Sequence, residues 1–419
     1  MKKFLLNVPP NLAYKSVIWN VLSNSLNAVV SVVLLWAVTR INGTNDAGVF
    51  SLGFSTAQMM LTIGNFGMRN YQSSDVSDKY SQEVYLASRW VTSFIMMAGV
   101  CGFVLAKGYY PEKALVVVLL CILKVTDALD DVYGAYYQRM NRLDLSGKIL
   151  FLRIVTYSIT FVLVLLLTHN MCVAILAAIA VASALLFYMV RTVKQVFPIT
   201  KPKFLWGSVG KLLAECLPLC ISAFLLVYMV NAPKYAIDSY MSNEMQAYYN
   251  YLFMPCFVIN LFVGFVLQPL LVRISVLWKE HNFHEFKRIM LKIYGCTLLI
   301  SLLIVLAGRF AGCYFLSIFF GVDLNMYSDI LTILLCGGAF FALASITQTI
   351  LTVMRHQYSI LWGVGISNAL LTVLAPILVR EYGLHGAAWS YTGAAGLLFL
   401  VMLICIVAFL QRETGVSEK

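Results

Sequence analysis

Hydrophobic residues in this 419-residue chain are gathered into long runs that short polar connections separate. Each run holds about 20 largely apolar residues, the length that an α-helix needs to cross the hydrocarbon core of a bilayer. The pattern therefore predicts twelve membrane-spanning helices, at residues 14–38, 47–67, 85–106, 114–137, 148–168, 171–190, 208–232, 246–272, 287–308, 327–352, 359–379 and 386–410.

A long polar break lies at the middle of the chain, between the sixth and seventh predicted spans. Residues 191–206 hold four cations, no Asp or Glu, and two prolines, Pro198 and Pro202. Proline lacks the backbone N–H and clashes with the preceding helical turn, so this stretch is a connection rather than part of a helix. The break divides the spans six and six. We predict an N-terminal lobe at residues 1–198 and a C-terminal lobe at residues 199–419.

The composition excludes a soluble globular protein. Hydrophobic residues make up 61% of the chain, charged residues 12%, and the mean hydropathy is +0.83, whereas soluble domains carry about 25% charged residues. The ten cysteines show no C-x-x-C spacing, which favours packing residues over a disulfide or metal framework. We predict an all-α polytopic membrane protein with about 12 transmembrane helices in two six-helix lobes around a central cavity.

The number of Lys and Arg residues alternates between high and low from one connection to the next. With both termini placed in the cytoplasm, 23 of the 30 Lys and Arg residues fall in or beside inside connections, and six in or beside outside ones. Short cytoplasmic loops retain Lys and Arg, so this is the predicted orientation. The excess of Lys and Arg on the cytoplasmic side, together with an anionic lipid partner, is enough to explain the net charge of +11. We therefore expect membrane lipid, and no nucleic acid, as a partner.

The two halves also show an internal repeat. Residues 48–52 open the second predicted span, and residues 247–251 open the eighth with a related pattern. Because each half has six spans, both halves start on the same side of the membrane, so the repeat is parallel. Such repeats are related by an axis along the membrane normal, and substrate sites lie near the repeat interface. This arrangement favours alternating access by rocking of the lobes.

Three short motifs point to a family. They are Asp46-Ala-Gly-Val-Phe-Ser after the first span, Phe319-Phe-Gly-Val-Asp-Leu-Asn-Met-Tyr-Ser before the tenth, and Glu381-Tyr-Gly-Leu-His-Gly-Ala-Ala-Trp-Ser at the last. In this order, and with the 6 + 6 plan, the chain resembles the multidrug/oligosaccharidyl-lipid/polysaccharide exporter superfamily, in its Wzx-type flippase branch. The resemblance covers essentially the whole chain.

The resemblance implies translocation of an undecaprenyl-pyrophosphate-linked oligosaccharide across the bacterial cytoplasmic (inner) membrane, for O-antigen, capsule or exopolysaccharide synthesis. We expect a flippase that is not an enzyme, has no catalytic residues and no cofactor or metal, and works as a monomer beside the polysaccharide polymerase machinery. Coupling to a proton or sodium gradient stays open. Relatives that flip lipid II have two extra spans that help to hold the lipid tail, and this chain lacks them.

Two other functions remain as alternatives. A cation-coupled drug exporter of the same superfamily would suit the acidic residues of the fourth span, although the basic excess favours an anionic cargo. A membrane polysaccharide polymerase or glycosyltransferase would need a large external loop for its chemistry, and every predicted outside connection is short.

Ionisable side chains inside the fourth span form its densest polar group. Lys124, Asp127 and Asp131 lie three and four residues apart, so they share one helix face. A charge at the centre of a span costs about 2.5–3.5 kcal/mol on insertion scales, so such groups need partners or water. Two interpretations remain: a proton or cation relay, or an ion network that holds the fourth span to the third and fifth.

The first span carries a polar stripe at helical spacing, Asn20, Asn24 and Asn27. Such a stripe suits a wet cavity that hydrogen-bonds sugar hydroxyls, and it also suits helix–helix contacts in the membrane. The resemblance places spans one, two, seven and eight around the substrate cavity. The remaining predicted cavity residues on these spans are Gln58, Asn65, Asn260 and Gln268.

Further charged residues lie near the ends of the same four spans. A cationic mouth for the pyrophosphate is predicted at the cytoplasmic ends, because Arg can offer a phosphate two parallel donors; its residues are Lys15, Arg69, Lys211 and Arg273. Glu215 lies four residues after Lys211 and could pair with it. An outer gate is predicted at Arg40, Lys234 and Asp238. The positive-inside rule alone also explains the four mouth cations.

Overall fold

The computed structural model describes residues 5–7, 11–75, 79–194, 196–197, 201–354 and 356–417; it describes no side chains at 74, 261–262, 264–269, 271–272, 357 or 412–417. Within these residues all the regular secondary structure is helical, as predicted. The contacts between Cα atoms divide the chain into two units, Met1–Val227 and Tyr228–Lys419. The division falls inside a continuous helix. The boundary predicted at 198/199 lies outside the described residues and stays a prediction.

The N-terminal unit contains the six helices that correspond to the first six predicted spans. They are α1 (Leu12–Asn42), α2 (Thr44–Asn65), α3 (Gln82–Lys107), α4 (Pro111–Arg139), α5 (Leu143–Thr168) and α6 (Met171–Val193). A seven-residue helix, Met68–Ser74, lies between α2 and α3. Helix α7 (Trp206–Tyr240) begins in this unit and ends in the next.

The rest of the chain forms the C-terminal helices. They are α8 (Asn243–Lys279), α9 (Phe283–Ala307), α10 (Ser328–Val353) and the long element Gln357–Ser417. Between α9 and α10, a π-helical turn at Gly308–Gly312 leads into a short helix, Cys313–Phe320. This helix covers most of the apolar stretch at residues 311–320.

Gly383 breaks the element Gln357–Ser417 into two helices, α11 (357–382) and α12 (384–417). Its φ of 58° and ψ of −131° lie outside the helical region, in a conformation that glycine alone adopts readily. At Gly386, an added Cβ would come within 1.9 Å of the Leu378 carbonyl oxygen. The two glycines therefore let the chain reverse sharply between the last two spans.

Nine helical segments among the described residues are long and apolar enough to cross a membrane. One of them, Tyr358–Gln411, contains both α11 and α12. Helix α4 falls outside the nine because its charged residues are close together, yet its 29 residues span about 43 Å at 1.5 Å per residue. With α8, which has 37 residues, the helices match the twelve predicted spans. Several extend beyond the predicted apolar run, because helical hydrogen bonding continues past the hydrocarbon core.

Helix α4 lies at the centre of the N-terminal unit, where it packs against α2, α3, α5 and α6. Helix α1 packs along α5. Gly147 of α5 permits this approach, since an added Cβ would lie 2.7 Å from the Trp19 backbone. The start of α5 is fixed by a buried ion cluster in which Asp144 accepts hydrogen bonds from Arg142 and Lys148 at 2.8 and 2.9 Å.

Candidate functional site: a polar cavity in the N-terminal unit

A polar cavity of about 430 Å³ lies within the N-terminal unit. It is surrounded by α1, α2, the Met68–Ser74 helix, α4 and α5. Most of its walls are amide, carboxylate and guanidinium groups. Its lining residues are Asn20, Asn24, Asn27, Leu61, Asn65, Arg69, Asn70, Asp127, Asp130, Asp131, Gln138, Leu143, Ser146, Leu150 and Arg153.

The asparagine stripe of α1 forms one wall of this cavity. Asn24 Nδ2 donates to Asn20 Oδ1 at 3.0 Å and to the Asn20 carbonyl at 2.8 Å. Ser23, beside the stripe, is buried and donates to the same carbonyl. The structure therefore brings the predicted stripe into the same cavity as the acidic residues of α4, which the sequence analysis treats as a separate feature.

A tight turn after α2 places Arg69 at the cavity. Phe66 and Gly67 both adopt left-handed backbone conformations, with φ of 51° and 66°, which end α2 and start the Met68–Ser74 helix in a new direction. The Arg69 side chain then runs past Gly134 of α4, where an added Cβ would lie 3.4 Å from its Nη1 atom. Local backbone geometry and a small residue together make room for this guanidinium.

Two arginines hold Asp131. Arg69 Nη1 donates to one carboxylate oxygen at 2.9 Å, and Arg89 Nη2 donates to the other at 2.7 Å. Arg89 is fully buried and also donates to the Gly64 carbonyl and to Asn65 Oδ1. Asp131 therefore joins α4 to α3, to the end of α2 and to the Met68–Ser74 helix.

Asp127 and Asp130 share the fully buried Arg153 of α5. Arg153 Nη1 donates to Asp127 Oδ1 and to Thr126 Oγ1, while its Nη2 donates to Asp130 Oδ2 at 3.0 Å. Lys124 Nζ donates to the other oxygen of Asp127 at 2.7 Å. Removing charged groups from water costs free energy. Buried ionic contacts of this kind therefore stabilise the fold only when each charge has a partner.

These seven charged residues form the α4 charge network, which consists of Arg69, Arg89, Lys124, Asp127, Asp130, Asp131 and Arg153. With every group ionised, it has four positive and three negative charges. The net charge of the network is therefore +1. Arg89 lies on α3 and Arg153 lies on α5, so the ion pairs connect α4 to the two helices that the network interpretation names. The functional role of these residues stays a prediction.

The other predicted site residues are more widely distributed. Gln58 is partly buried on α2, and its Oε1 has no hydrogen-bond partner among the described residues. Asn260 of α8 donates to the Cys256 carbonyl at 3.4 Å, and the side chain of Gln268 lies outside the described part. Three predicted mouth cations are exposed, namely Lys15, Lys211 and Arg273. Arg69, the fourth, is 35% exposed and lies at the cavity.

The predicted outer-gate residues also differ in their surroundings. Arg40 is exposed in the last turn of α1. Lys234 is buried, with its Nζ atom 5.2 Å from the centroid of the Phe253 ring. Asp238, one turn further along α7, is partly buried. Lys234 is therefore not a surface cation that cargo could reach in this conformation.

Glu215 pairs with Lys79 rather than with Lys211. Its Oε1 accepts from Lys79 Nζ at 2.7 Å and from the Tyr80 hydroxyl at 3.1 Å, and its Oε2 accepts from the Tyr71 hydroxyl. These partners lie on the segment between α2 and α3, more than a hundred residues away in sequence. Glu215 is thus separate from the α4 charge network, and it joins the start of α7 to the N-terminal unit.

The Glu215 carboxylate also affects the acid–base properties of this segment. Its hydrogen bond raises the pKa of the Lys79 ammonium and that of the Tyr71 hydroxyl above their ordinary values. Both groups therefore stay protonated at neutral pH, as donors to Glu215.

The sequence comparison identifies the family. Residues 13–275, more than half of the chain, match the family described as polysaccharide biosynthesis protein. The chain belongs to this family. The capsular polysaccharide biosynthesis protein CapF of Staphylococcus aureus is 20% identical to it over 379 residues, which cover 88% of this chain and 93% of CapF.

Several solved structures with a similar fold are transporters. The lipid II flippase MurJ, in an inward closed conformation, matches with a TM-score of 0.73 at 14% identity, over 93% of this chain and 87% of MurJ. A MATE family multidrug resistance transporter of the MOP superfamily, in an inward-facing conformation, matches with a TM-score of 0.66 at 11% identity, over 96% of this chain and 99% of the transporter. The family member described here is therefore a multi-pass membrane protein with a MOP-type transporter fold.

Sequence reasoning missed several lining residues of this family member's cavity. Asp130 lies in the same polar group of the fourth span as the two predicted acids, but the sequence analysis does not assign it to the site. Asn70, Gln138 and Ser146 lie at helix ends, where polar residues are common and carry no signal of their own. Metal ligation receives no support from the described residues, in which no group of three or more His, Cys, Asp or Glu side chains could hold a metal ion.

Proposed function

We propose that this protein is a flippase for an undecaprenyl-pyrophosphate-linked oligosaccharide, which it moves from the inner to the outer leaflet of the bacterial cytoplasmic membrane by alternating access. The product would serve the synthesis of a surface polysaccharide such as capsule, O-antigen or exopolysaccharide. The observation that carries the proposal is a cavity of amides, carboxylates and arginines inside a membrane-spanning unit of a polysaccharide biosynthesis family member.

The cavity has the chemistry that a sugar needs in order to leave water. Each hydroxyl of an oligosaccharide both donates and accepts hydrogen bonds, and its burial without partners is costly. Six carboxamide side chains line the cavity and can supply both donors and acceptors: Asn20, Asn24, Asn27, Asn65, Asn70 and Gln138. In a membrane helix such groups are expensive, so their gathering around one volume supports a polar cargo.

The arginine at the cavity edge suits the pyrophosphate. Arg69 uses one donor for Asp131 and reaches Gln138 at 3.5 Å, and it is still 35% exposed, so some of its five N–H donors remain accessible. A guanidinium can bind two phosphate oxygens in parallel. The net positive charge of the α4 charge network lowers the cost of bringing an anion close. Lys15, Lys211 and Arg273 would provide the first contacts at the cytoplasmic face.

The MATE-like fold also raises a second candidate, a cation-coupled drug exporter. A cationic drug would need unpaired negative charge in the cavity. Asp127 and Asp131 accept hydrogen bonds from two cations each, and Asp130 accepts from Arg153. This pairing favours an anionic or neutral cargo over a cationic one.

The cellular setting of the proposed flippase follows from its cargo. Both termini would lie in the cytoplasm, and the protein would work as a monomer beside the polymerase that consumes its product. Its partners would be the lipid-linked oligosaccharide and membrane lipid, with no cofactor and no chemistry on the cargo. A proton or sodium gradient would supply the direction of transport.

A cavity variant tests this function in cells that depend on this protein for their surface polysaccharide. The Asn27 side chain lines the cavity and makes no hydrogen bond among the described residues, so Asn27→Leu should spare the fold and remove a sugar contact. Val29→Ala, at an exposed position of the same helix, is the matched control. At equal membrane abundance, Asn27→Leu should lower surface polysaccharide several-fold and cause lipid-linked precursor to accumulate. Equal polysaccharide in the two variants would contradict the proposal.

The proposed contact with the pyrophosphate has its own test. Arg273 is exposed on α8, so its replacement should leave folding unchanged. Arg273→Ala should abolish surface polysaccharide, and Arg273→Lys should restore it only in part, because an ammonium lacks the bidentate fork. If Arg273→Lys restores surface polysaccharide fully, only the positive charge of Arg273 matters, and its role is to set the membrane topology. Full activity of Arg273→Ala would remove it from the site.

A further inference from the structure

The three carboxylates of the α4 charge network are not equally paired. Asp127 accepts hydrogen bonds on both oxygens, from Lys124 and Arg153. Asp131 also accepts on both oxygens, from Arg69 and Arg89. Each of these two carboxylates therefore has two cations beside it, and both cations favour its ionised form.

Asp130 is different. Its Oδ2 atom accepts from Arg153 Nη2 at 3.0 Å, and its other oxygen accepts no hydrogen bond among the described residues. Only 6% of the residue is exposed, and that part lines the cavity. The negative charge of Asp130 is therefore balanced by a single guanidinium, which it shares with Asp127. A buried carboxylate with a free oxygen towards a polar cavity is in position to take a proton from cavity water.

The surroundings of Asp130 contain both signs of charge. Asp127, three residues earlier on the same helix, and Asp131, the next residue, disfavour a further negative charge, and the guanidinium of Arg153 favours it. The hydroxyl of Tyr137, two turns along α4, is buried and has no hydrogen-bond partner among the described residues. The charged and titratable groups that face this region from α4 and its neighbours are Lys124, Asp127, Asp131, Tyr137, Arg153, Tyr157, Arg69 and Arg89.

We propose that Asp130 is the carboxylate of this cavity that binds and releases a proton during the transport cycle, while Asp127 and Asp131 stay ionised. The proton comes from cavity water and forms an O–H bond on the free Asp130 oxygen. Arg153 keeps its bonds to Asp127 and Thr126, and the net charge of the network rises from +1 to +2. As a coupling step this rests on the proposed flippase function, although proton binding itself does not.

The charge change links the proton to the cargo. A pyrophosphate held near Arg69 would be stabilised by the additional positive charge, so an anion in the cavity should favour protonated Asp130. By thermodynamic linkage, protonation of Asp130 should increase the affinity for the anion by the same factor. A cationic occupant would have the opposite effect, which distinguishes a flippase from a drug exporter.

Infrared difference spectroscopy of the purified protein tests proton binding without any cargo. Exposed carboxylates are already mostly ionised at about pH 5, so a protonated carboxyl band that disappears between about pH 5 and about pH 8 reports a shielded acid. We expect this band in the wild type, with the isotope shift of labelled aspartate. Asp130→Asn should lose it, whereas the control Asp323→Asn, at an exposed position outside the α4 charge network, should keep it.

Two results would overturn the proposal: persistence of the band in Asp130→Asn, or its absence from the wild type. If Asp130→Asn does not yield a folded protein, Asp130→Glu gives an equivalent test, because it keeps a carboxyl group and should shift the band without abolishing it. An unchanged band in Asp130→Glu would also count against the assignment. Because the spectrum needs no oligosaccharide, a negative result would reject the role of Asp130 in proton binding. The transport experiments would still decide separately whether the protein is a flippase.

Discussion

Asp127 lies between two buried cations, and the N-terminal unit should tolerate its loss poorly. Asp127→Asn keeps the size of the side chain but leaves Lys124 and Arg153 with less negative charge than they have now. Removal of one partner from a buried ion pair costs about 3–5 kcal/mol. We therefore expect lower membrane abundance and easier unfolding in detergent. Addition of Lys124→Met should recover about 0.5–3 kcal/mol, the usual range for coupled neighbours.

Glu381→Gln, at an exposed position on α11, is the control for this pair and should leave stability unchanged. A relay role would give a different pattern, in which Asp127→Asn accumulates normally and fails in transport. Wild-type abundance together with wild-type transport in Asp127→Asn would exclude both the network and the relay interpretations.

At the scale of helices, the break at Gly383 makes a clear prediction about stability. A side chain at φ 58° and ψ −131° is strained, so Gly383→Ala should destabilise the C-terminal unit by about 1–3 kcal/mol. Gly365 lies in the same element, where nothing lies within 4 Å of an added Cβ. Gly365→Ala should be neutral or stabilise by up to about 1 kcal/mol, because alanine favours a helix. Thermal unfolding in detergent measures both, and the same effect for the two variants would contradict the assigned break.

The attachment of α7 to the segment between α2 and α3 can be tested by proteolysis. Glu215→Ala removes the acceptor for Lys79, Tyr71 and Tyr80 at once. Lys79 should then be released, and trypsin should cleave after it several-fold faster in detergent. Glu381→Ala is the control. Unchanged cleavage in Glu215→Ala would show that apolar packing alone holds this segment, for instance that of Cys216 against Met68 and Tyr85.

The apolar runs along the sequence predict the helices well. Inside a bilayer no water is present, so the backbone N–H and C=O groups of a span bond to each other within its own helix. All twelve predicted spans correspond to helices, with ends that differ by up to eight residues. Pairing between helices was harder to predict. The network interpretation places the partners of the α4 acids on the third and fifth spans, but nothing near Glu215 in the sequence indicates Lys79, because their contact depends on the packing of distant segments.

The cavity shows the same limit. The spacing of Asn20, Asn24 and Asn27 predicts a shared polar face, which the structure places in one cavity with Arg69 and the α4 acids. Their meeting required the turn at Phe66–Gly67 and the space beside Gly134, features that depend on backbone geometry. The unequal pairing of Asp130 follows from the direction in which the two ends of Arg153 point, so spacing along α4 could not predict it.

At the scale of the whole molecule, the orientation in the membrane is still a prediction. Residues 191–206 should face the cytoplasm and residues 107–112 the outside, because Lys and Arg concentrate in the former type of connection. Single cysteines placed in each segment of a cysteine-free variant should react accordingly with an impermeant reagent on intact cells. Strong labelling within 191–206 before permeabilisation would contradict the topology with both termini inside.

The central claim is that the cavity carries a lipid-linked oligosaccharide across the membrane, and reconstitution tests it most directly. Proteoliposomes would contain a fluorescent oligosaccharide linked through pyrophosphate to a polyprenol, with an impermeant glycosidase added outside. With the wild-type protein, and with Val29→Ala, the enzyme should in time cleave all the cargo, and with Asn27→Leu it should do so several-fold more slowly. Cleavage by the wild type that stops at the outer-leaflet share, as in protein-free vesicles, would contradict the account.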